Sequence, residues 1–401
     1  TATTEIYTLS HTTLFRSRAA RMNPESATAL VLSAGYSERM GDFKPLMMLG
    51  GVTILERVIR LFQSTGVSRI HVVVGHRAAE LIPLIDRWGA RSVVNSRYTE
   101  GMFSSVVAGV SSLDEGTESF FVLPVDIPLV RPATVRELMQ AFPAGAGAIC
   151  HPTFGGRRGH PPLIGGHHIR SILEWREEGG LGALLARWER HAVEVAVVDE
   201  FIHQDMDRPE DYRRMADRLA SRDVLSPAEC AALLNNRLHV SPAVAAHGRA
   251  VADMATRIGQ ALNHAGFSLN LPLICAAALV HDMSRGEPDH ARRGGKLLRD
   301  LDMPLMADIV ETHMDMAVGE GRQIKEAEVV FLADKLVQED RFVGLAERFR
   351  LRMDDPLSNS PAHDSAHRRL EAARKIAERI ETIIGRPLES LRGDIPVAYA
   401  I

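Results

Sequence analysis

Short apolar runs alternate with amphipathic stretches from Ala27 to about Leu219. The runs Thr28–Leu32, Ile70–Val74, Ser119–Leu123 and Ala192–Val198 are brief and partly β-branched, as buried strands are. Between them, Thr53–Ser64, Phe103–Leu113 and Pro132–Ala141 repeat apolar residues at helical spacing. This order predicts an α/β domain, a mostly parallel sheet with helices on both faces. The pattern changes near Ser221. From Ser226 onward apolar residues recur only at helical spacing, through Ala228–Leu238, Ala243–Leu262, Leu273–Asp282 and Leu370–Ile384. Ser226-Pro227 and Ser241-Pro242 read as helix starts, with serine as N-cap and proline at the first helical position. The second half is therefore expected to be all-α, and the two halves show no repeat of one another.

The resulting division is an extension over 1–26, an α/β domain over 27–220, a linker and leading helix over 221–240, and a helical domain over 241–390. The stretch Thr1–Arg21 lacks an apolar core and does not read as a secretory signal; Met22 is a plausible start. With 401 residues, 45% hydrophobic and 24% charged, the chain is long enough for two good cores. Lys and Arg number 47 against 51 Asp and Glu, a net charge of −4, which argues against a nucleic-acid partner because a phosphate backbone demands a basic excess. The three cysteines, Cys150, Cys230 and Cys275, are far apart, so a disulfide framework is not expected and a reducing cytoplasm fits. The longest apolar run, Leu271–Val280, is too short to span a membrane. Met303, Met306, Met314 and Met316 read as core filler, and the arginines between Arg341 and Arg352 as a solvated helix face.

Candidate chemistry begins where the first strand ends, in Leu32-Ser-Ala-Gly-Tyr-Ser-Glu-Arg-Met-Gly-Asp-Phe-Lys44. Gly35 and Gly41 permit main-chain N–H groups to turn towards a phosphate, and Arg39 and Lys44 add positive charge. The spacing fits neither GxGxxG nor the Walker pattern. The segment resembles the LxxGxSxRMGxxK signature of nucleotidyltransferases that activate sugars and cofactors. Asn95 with Glu100-Gly-Met-Phe-Ser-Ser105, Leu123-Pro-Val-Asp-Ile-Pro128, Gly156-Arg-Arg-Gly-His-Pro-Pro-Leu163 and Gln204-Asp-Met-Asp-Arg-Pro-Glu-Asp211 resemble, in order, four further motifs of the molybdenum cofactor cytidylyltransferases. The resemblance implies an NTP bound by Leu32, Ser33, Ala34, Gly35, Arg39, Lys44, Gly75, Asn95, Ser104 and Ser105. It also implies Mg²⁺ held by Asp126 with Asp205 or Asp207, and Arg39, Lys44 and Asp126 acting in catalysis; N-capping is the other role open to Asp205 and Asp207. The chain departs from the pattern at Ser33, Arg208 and Ile164, and Gly179-Gly-Leu-Gly-Ala-Leu184 lacks the acid and arginine of a GDxGAR segment. Those departures bear on the acceptor rather than on nucleotidyl transfer.

In the second half, His247, His281-Asp282 and Asp334 stand in the order H…HD…D, with His290 and His313 between. This resembles the HD phosphohydrolase superfamily, and the late Leu-Ala-Asp-Lys335 segment resembles its bacterial branch that splits dinucleoside tetraphosphates. The resemblance implies a pair of transition metals such as Fe, Mn, Co or Zn on His247, His281, Asp282, His290, His313 and Asp334, with Asp282 catalytic. Imidazoles and carboxylates suit those ions. The HDxGK continuation reads His281-Asp-Met-Ser-Arg285, so the role of the lysine would pass to Arg285 or be lost. The combined expectation is a cytoplasmic enzyme taking an NTP and a small phosphorylated acceptor, CMP transfer being favoured, with a hydrolase or, alternatively, a nucleotide-sensing module behind it. Homo-oligomerisation is left open.

Overall fold

The computed structural model describes residues 23–143, 148–318, 323–353 and 361–392; the expected N-terminal extension lies largely outside them. The chain forms two compact units, 1–222 and 223–401.

In the first unit the main strands are β1 (Ala27–Ser33), β2 (Arg69–Val74), β3 (Arg91–Val94), β4 (Ser119–Pro124), β5 (Ile149–Phe154), β6 (Leu163–Gly165) and β7 (Ala192–Ala196). They lie in the order β7-β5-β6-β4-β1-β2-β3. β1 pairs in parallel with β2 and β4, β2 with β3, and β5 with β7, while β6 runs antiparallel to both β4 and β5. The mostly parallel α/β sheet is as expected. The runs at β3, β5 and β6 escaped the hydrophobic pattern for separate reasons. β3 is a half-exposed edge, β5 contains Pro152, and β6 is only three residues long.

Every residue of β1 is buried, and alternate side chains supply two separate cores, as the strand period of two requires. Ala27, Ala29 and Val31 face α1 (Ile54–Ser64), α2 (Ala78–Arg87) and, further along the sheet, α4 (Pro132–Ala141). Leu30 and Leu32 face α3 (Met102–Ser111), α5 (Ile169–Glu174) and α6 (Gly180–Arg187). The unit ends with α7 (Pro209–Leu219). A buried ion pair secures its tail. Arg131 and Asp199, both almost fully buried, lie 3.5 Å apart, Thr134 Oγ1 donates to Asp199 (2.7 Å), and Arg131 also donates to the carbonyls of Val198 and Arg222.

The second unit is built from α8 (Pro227–Ala231), α9 (Pro242–His264), α10 (Leu271–Val280), α11 (His290–Asp300), α12 (Pro304–Thr312), α13 (Glu326–Leu336), α14 (Gly344–Met353) and α15 (Pro361–Ile384). Both serine N-caps form. Ser226 and Glu229 make a reciprocal capping box, and Ser241 Oγ accepts from Val244 N at 3.3 Å. From Leu273 on, α10 is buried on all sides, the mark of a central helix. The helical class of this half is as expected, with two local differences. The helix expected over 228–238 turns to π geometry at Ala232–Arg237, a widening that leaves the adjacent Leu233 and Leu234 both buried. Val337–Gln338 and Arg341–Phe342 add a short antiparallel hairpin with Glu339 in the left-handed region.

Removing one member of a buried ion pair leaves the other unpaired, so Asp199→Ala is expected to destabilise the first unit by about 3–5 kcal/mol. The shift in its unfolding midpoint under denaturant measures this.

Candidate functional site

In the first unit the predicted residues gather at the carboxyl ends of the parallel strands, where ligands of such sheets bind. The loop after β1 closes on itself through a bond from Lys44 N to Ser37 Oγ (3.2 Å), with Ser37 and Gly41 at positive φ. Lys44 is only 8% exposed. Its Nζ lies 3.3 Å from Asp126 Oδ2 and 2.9 Å from Asp207 Oδ1, and Arg39 Nη1 is 3.2 Å from Asp207 Oδ2. Asp126 stands two residues past β4, tied to the closing motif by Met206 N donating to its carbonyl (2.9 Å). Burial pushes the Asp126 carboxyl up, with Lys44 opposing; the hydrogen bond from Lys44 holds Asp207 below its ordinary value. Asp207 is not a helix cap: Asp211 accepts from the backbone N–H groups of Asp207 and Arg208 instead. Among the described residues Asp126, Asp205 and Asp207 do not converge as a ligand trio. Asp126 and Asp207 instead share one cation, the Lys44 ammonium.

The remaining loop residues take distinct places. The Leu32 and Ala34 carbonyls accept from Val125 N and His76 N, stitching the loop to its neighbours, while the buried Ser33 Oγ has no partner. At Gly35 a side chain would meet open space. At Gly75 a Cβ would lie 2.6 Å from the Tyr98 side chain and 2.9 Å from the Ala34 carbonyl, so close approach of three loops demands glycine there. Asn95, Ser104 and Ser105, the other nucleotide-binding residues that the resemblance implies, form a cluster bonded within itself. They are buried, with Asn95 Nδ2 donating to Ser104 Oγ (2.9 Å) and Ser105 Oγ (3.0 Å), and Asn95 Oδ1 accepting from Arg97 N. They bolt the start of α3 to the end of β3. Hydrophobic patterning missed an aromatic group beside the loop, in which Tyr36 sits 5.0 Å from His76 and 5.3 Å from Tyr98 between ring centroids.

In the second unit all six predicted metal ligands meet. His247, His281 and Asp282 offer ligand atoms within 4.8 Å of one another, and so do Asp282, His290 and His313. Asp282 belongs to both groups. His290 Nε2 and His313 Nε2 approach Asp282 Oδ1 at 3.4 and 3.5 Å, while Asp334 Oδ1 lies 3.2 Å from His247 Nε2 and 3.7 Å from His281 Nε2.

The backbone fixes the rings. His247 Nδ1 donates to the Glu339 carbonyl (2.7 Å), His281 Nδ1 to Ala278 (2.7 Å) and His313 Nδ1 to Val310 (2.6 Å). Each such bond turns Nε2 towards the cluster. The buried Nε2 atoms of His281 and His313 have no hydrogen-bond partner, a costly state for a polar atom unless an ion is its ligand. The donor set thus fits a divalent metal. Burial alone would raise both carboxylates; His313 and His281 at Asp282, and Lys335 with His247 and His281 at Asp334, reverse this and hold each well below its ordinary value. Burial pushes the His313 imidazole down, with Asp282 opposing.

Gly248 lets α9 close on α10, for a Cβ there would lie 2.5 Å from the Leu279 carbonyl. The cluster opens into a pocket walled by Asp282, His290, Asp334, Arg285, Lys335, Arg348 and Arg369. Arg285 Nη1 is 3.1 Å from Asp282 Oδ2, in the neighbourhood that the HDxGK lysine was expected to fill. Two minor readings are corrected. Arg348 faces this pocket rather than solvent alone, and Met314 lines it while Met303 and Met306 are core.

A nucleotide-handling domain and a metal-binding helical domain are what these sites define. Residues 29–193 match the MobA-like NTP transferase domain and residues 244–338 match the HD domain, so the chain carries both, and the HD match implies a divalent metal. A bifunctional IPC transferase and DIPP synthase from Rubrobacter xylanophilus is 38% identical over 29% of this chain and 27% of its own. A 2-aminoethylphosphonate cytidylyltransferase from Lancefieldella rimae is 33% identical over 26% of this chain and 45% of its own. The chain thus spans less than half the length of these two relatives. A probable molybdenum cofactor guanylyltransferase from Bacillus cytotoxicus is 28% identical over 36% of this chain and 69% of its own. Among solved structures, a nucleotidyl transferase from Methanothermobacter thermautotroptrophicus is 25% identical, covering 48% of this chain and 97% of its own, with a TM-score of 0.42.

Because Asp282 is common to both ligand groups, Asp282→Ala is expected to lose both bound ions, whereas His290→Ala loses one. Metal content of the purified full-length proteins, per chain, tests this.

Proposed function

We propose that the first unit transfers a nucleoside monophosphate from an NTP to a small phosphorylated acceptor, releasing pyrophosphate. The observation that carries this reading is the meeting of Lys44, Asp126 and Asp207 at the carboxyl edge of the sheet, beside a glycine loop with open space at Gly35. An acceptor phosphate oxygen attacks the α-phosphorus; the new P–O bond forms as the bond to the β-phosphate oxygen breaks, and pyrophosphate leaves. An oxygen that is already anionic needs no strong general base, so positioning and charge neutralisation dominate. Arg39 and Lys44 bind the triphosphate, while Asp126 and Asp207, or Asp205, would hold Mg²⁺, which supplies neutralisation of the phosphoryl oxygens. The cytidylyltransferase and guanylyltransferase relatives support CTP or GTP as donor; CTP, with a cofactor-type acceptor such as molybdopterin, is the reading the motifs favour. The setting is cytoplasmic.

For the second unit we infer hydrolysis of a phosphoanhydride or phosphoester. The two ligand groups that share Asp282 support it; a metal pair held there would supply a water of lowered pKa and neutralise phosphoryl oxygens. Asp282 and Asp334 would hold the ions, and Arg285, whose side chain is 56% exposed, would present positive charge to the substrate phosphate.

Two measurements test these readings. With CTP or GTP, Mg²⁺ and an acceptor panel, Asp126→Ala is expected to lower pyrophosphate release by at least about 10²-fold with the fold intact, and Lys44→Ala to raise KM for the nucleotide as well. Wild-type release from Asp126→Ala would refute the proposed site. Under Mn²⁺ the wild-type chain is expected to release phosphate from a nucleotide panel and His281→Ala to lose it. Nucleotide binding without turnover would instead identify a sensing module.

A further inference from the structure

We infer that Lys335 is a positioning residue that sets the spacing between the two halves of the HD metal cluster. The inference rests on the two-metal reading of that cluster. Lys335 directly follows Asp334 on α13 and is 5% exposed. Consecutive side chains on a helix diverge, yet the lysine stem curls so that Nζ donates to Asp334 Oδ2. The same Nζ donates to the main-chain carbonyl of His313 at 2.9 Å. These partners belong to different halves. Asp334 lies with His247 and His281, whereas His313 lies with His290 on the far side of Asp282.

The geometry suits a strut. His313 follows the last residue of α12, where helix carbonyls lack an intrahelical partner and the dipole favours a cation. Its ring is aimed by Nδ1 bonding to Val310 within the same turn, so the position of that turn sets the position of Nε2. The ammonium holds the turn from outside while holding Asp334 from the other end. A buried ammonium is tolerable only when its donors are paired, which explains why it stays on these two partners and over the Phe331 ring (4.8 Å). Arg285 cannot substitute: its guanidinium contacts Asp282, and its side chain is 56% exposed.

Mn²⁺ titration of the full-length protein tests this. Wild type is expected to take up two ions per chain, one for each ligand group. Lys335→Met is expected to retain the ion at His247, His281 and Asp334 and to weaken binding at His290 and His313 by about 10- to 100-fold, the usual consequence of removing an outer partner of a ligand. Lys335→Arg, which can still reach both acceptors, recovers part of that loss and carries the test if Lys335→Met does not fold, as judged by melting of the metal-free proteins. In a His313→Ala background, Lys335→Met changes the remaining affinity by less than about twofold, since the strut acts through the His313 turn. A folded Lys335→Met that binds two ions like wild type, or that loses both equally, overturns the proposal. So does a Lys335→Arg no better than a folded Lys335→Met. A wild-type chain that binds no Mn²⁺ refutes the underlying metal reading, a result distinct from either.

Discussion

A carboxylate can stay ionised inside a helical core only if positive or proton-donating groups surround it, and Asp282 imposes that demand on the second unit. It sits just past an apolar helix buried from Leu273 on, yet His281, His290, His313 and Arg285 all converge on it. Each convergence requires a particular backbone arrangement. Gly248 brings α9 against the end of α10, α11 begins at His290, α12 ends where His313 can turn inward, and α13 delivers Asp334 and Lys335. The described helices of this unit are placed so that one buried charge is met from several directions. The same placement leaves two imidazole nitrogens without protein partners, which is the chemical opening for metal.

The first unit solves a related problem with a different device. Asp126 is partly buried, and Lys44, delivered by a loop rather than a helix, is the cation beside it. Because Lys44 also grips Asp207, the loop after β1, the end of β4 and the start of α7 are drawn to one point. Loops at the carboxyl edge of a parallel sheet lie side by side, so a long side chain can cross from one strand's loop to the next. A nucleotide triphosphate would meet carboxylates and cations already assembled, and entropy need not be lost in gathering them.

Polar groups that look like ligand contacts can serve the scaffold instead. Asn95, Ser104 and Ser105 have residue types suited to a nucleotide, but their hydrogen bonds are made to one another and to backbone. They hold the segment carrying Tyr98, which packs on Tyr36 and forces glycine at position 75.

The sequence by itself determined the two-unit order, the central parallel strands and the serine-capped helix starts, because each depends on local periodicity or capping chemistry, and its resemblance to the HD superfamily singled out the six candidate ligands that the fold brings together. Tertiary structure alone decided how those side chains are aimed. The Glu339 carbonyl that orients His247 belongs to an unforeseen hairpin, and a main-chain carbonyl leaves no trace in residue identity. Lys335 lay within a recognised segment, but its link to His313 spans a gap that no periodicity encodes. Likewise Lys44 reads in sequence as a phosphate cation; only the folded chain places it between Asp126 and Asp207. Contacts between segments distant in sequence depend on how several elements pack at once, and that packing is where the two sites acquire their geometry.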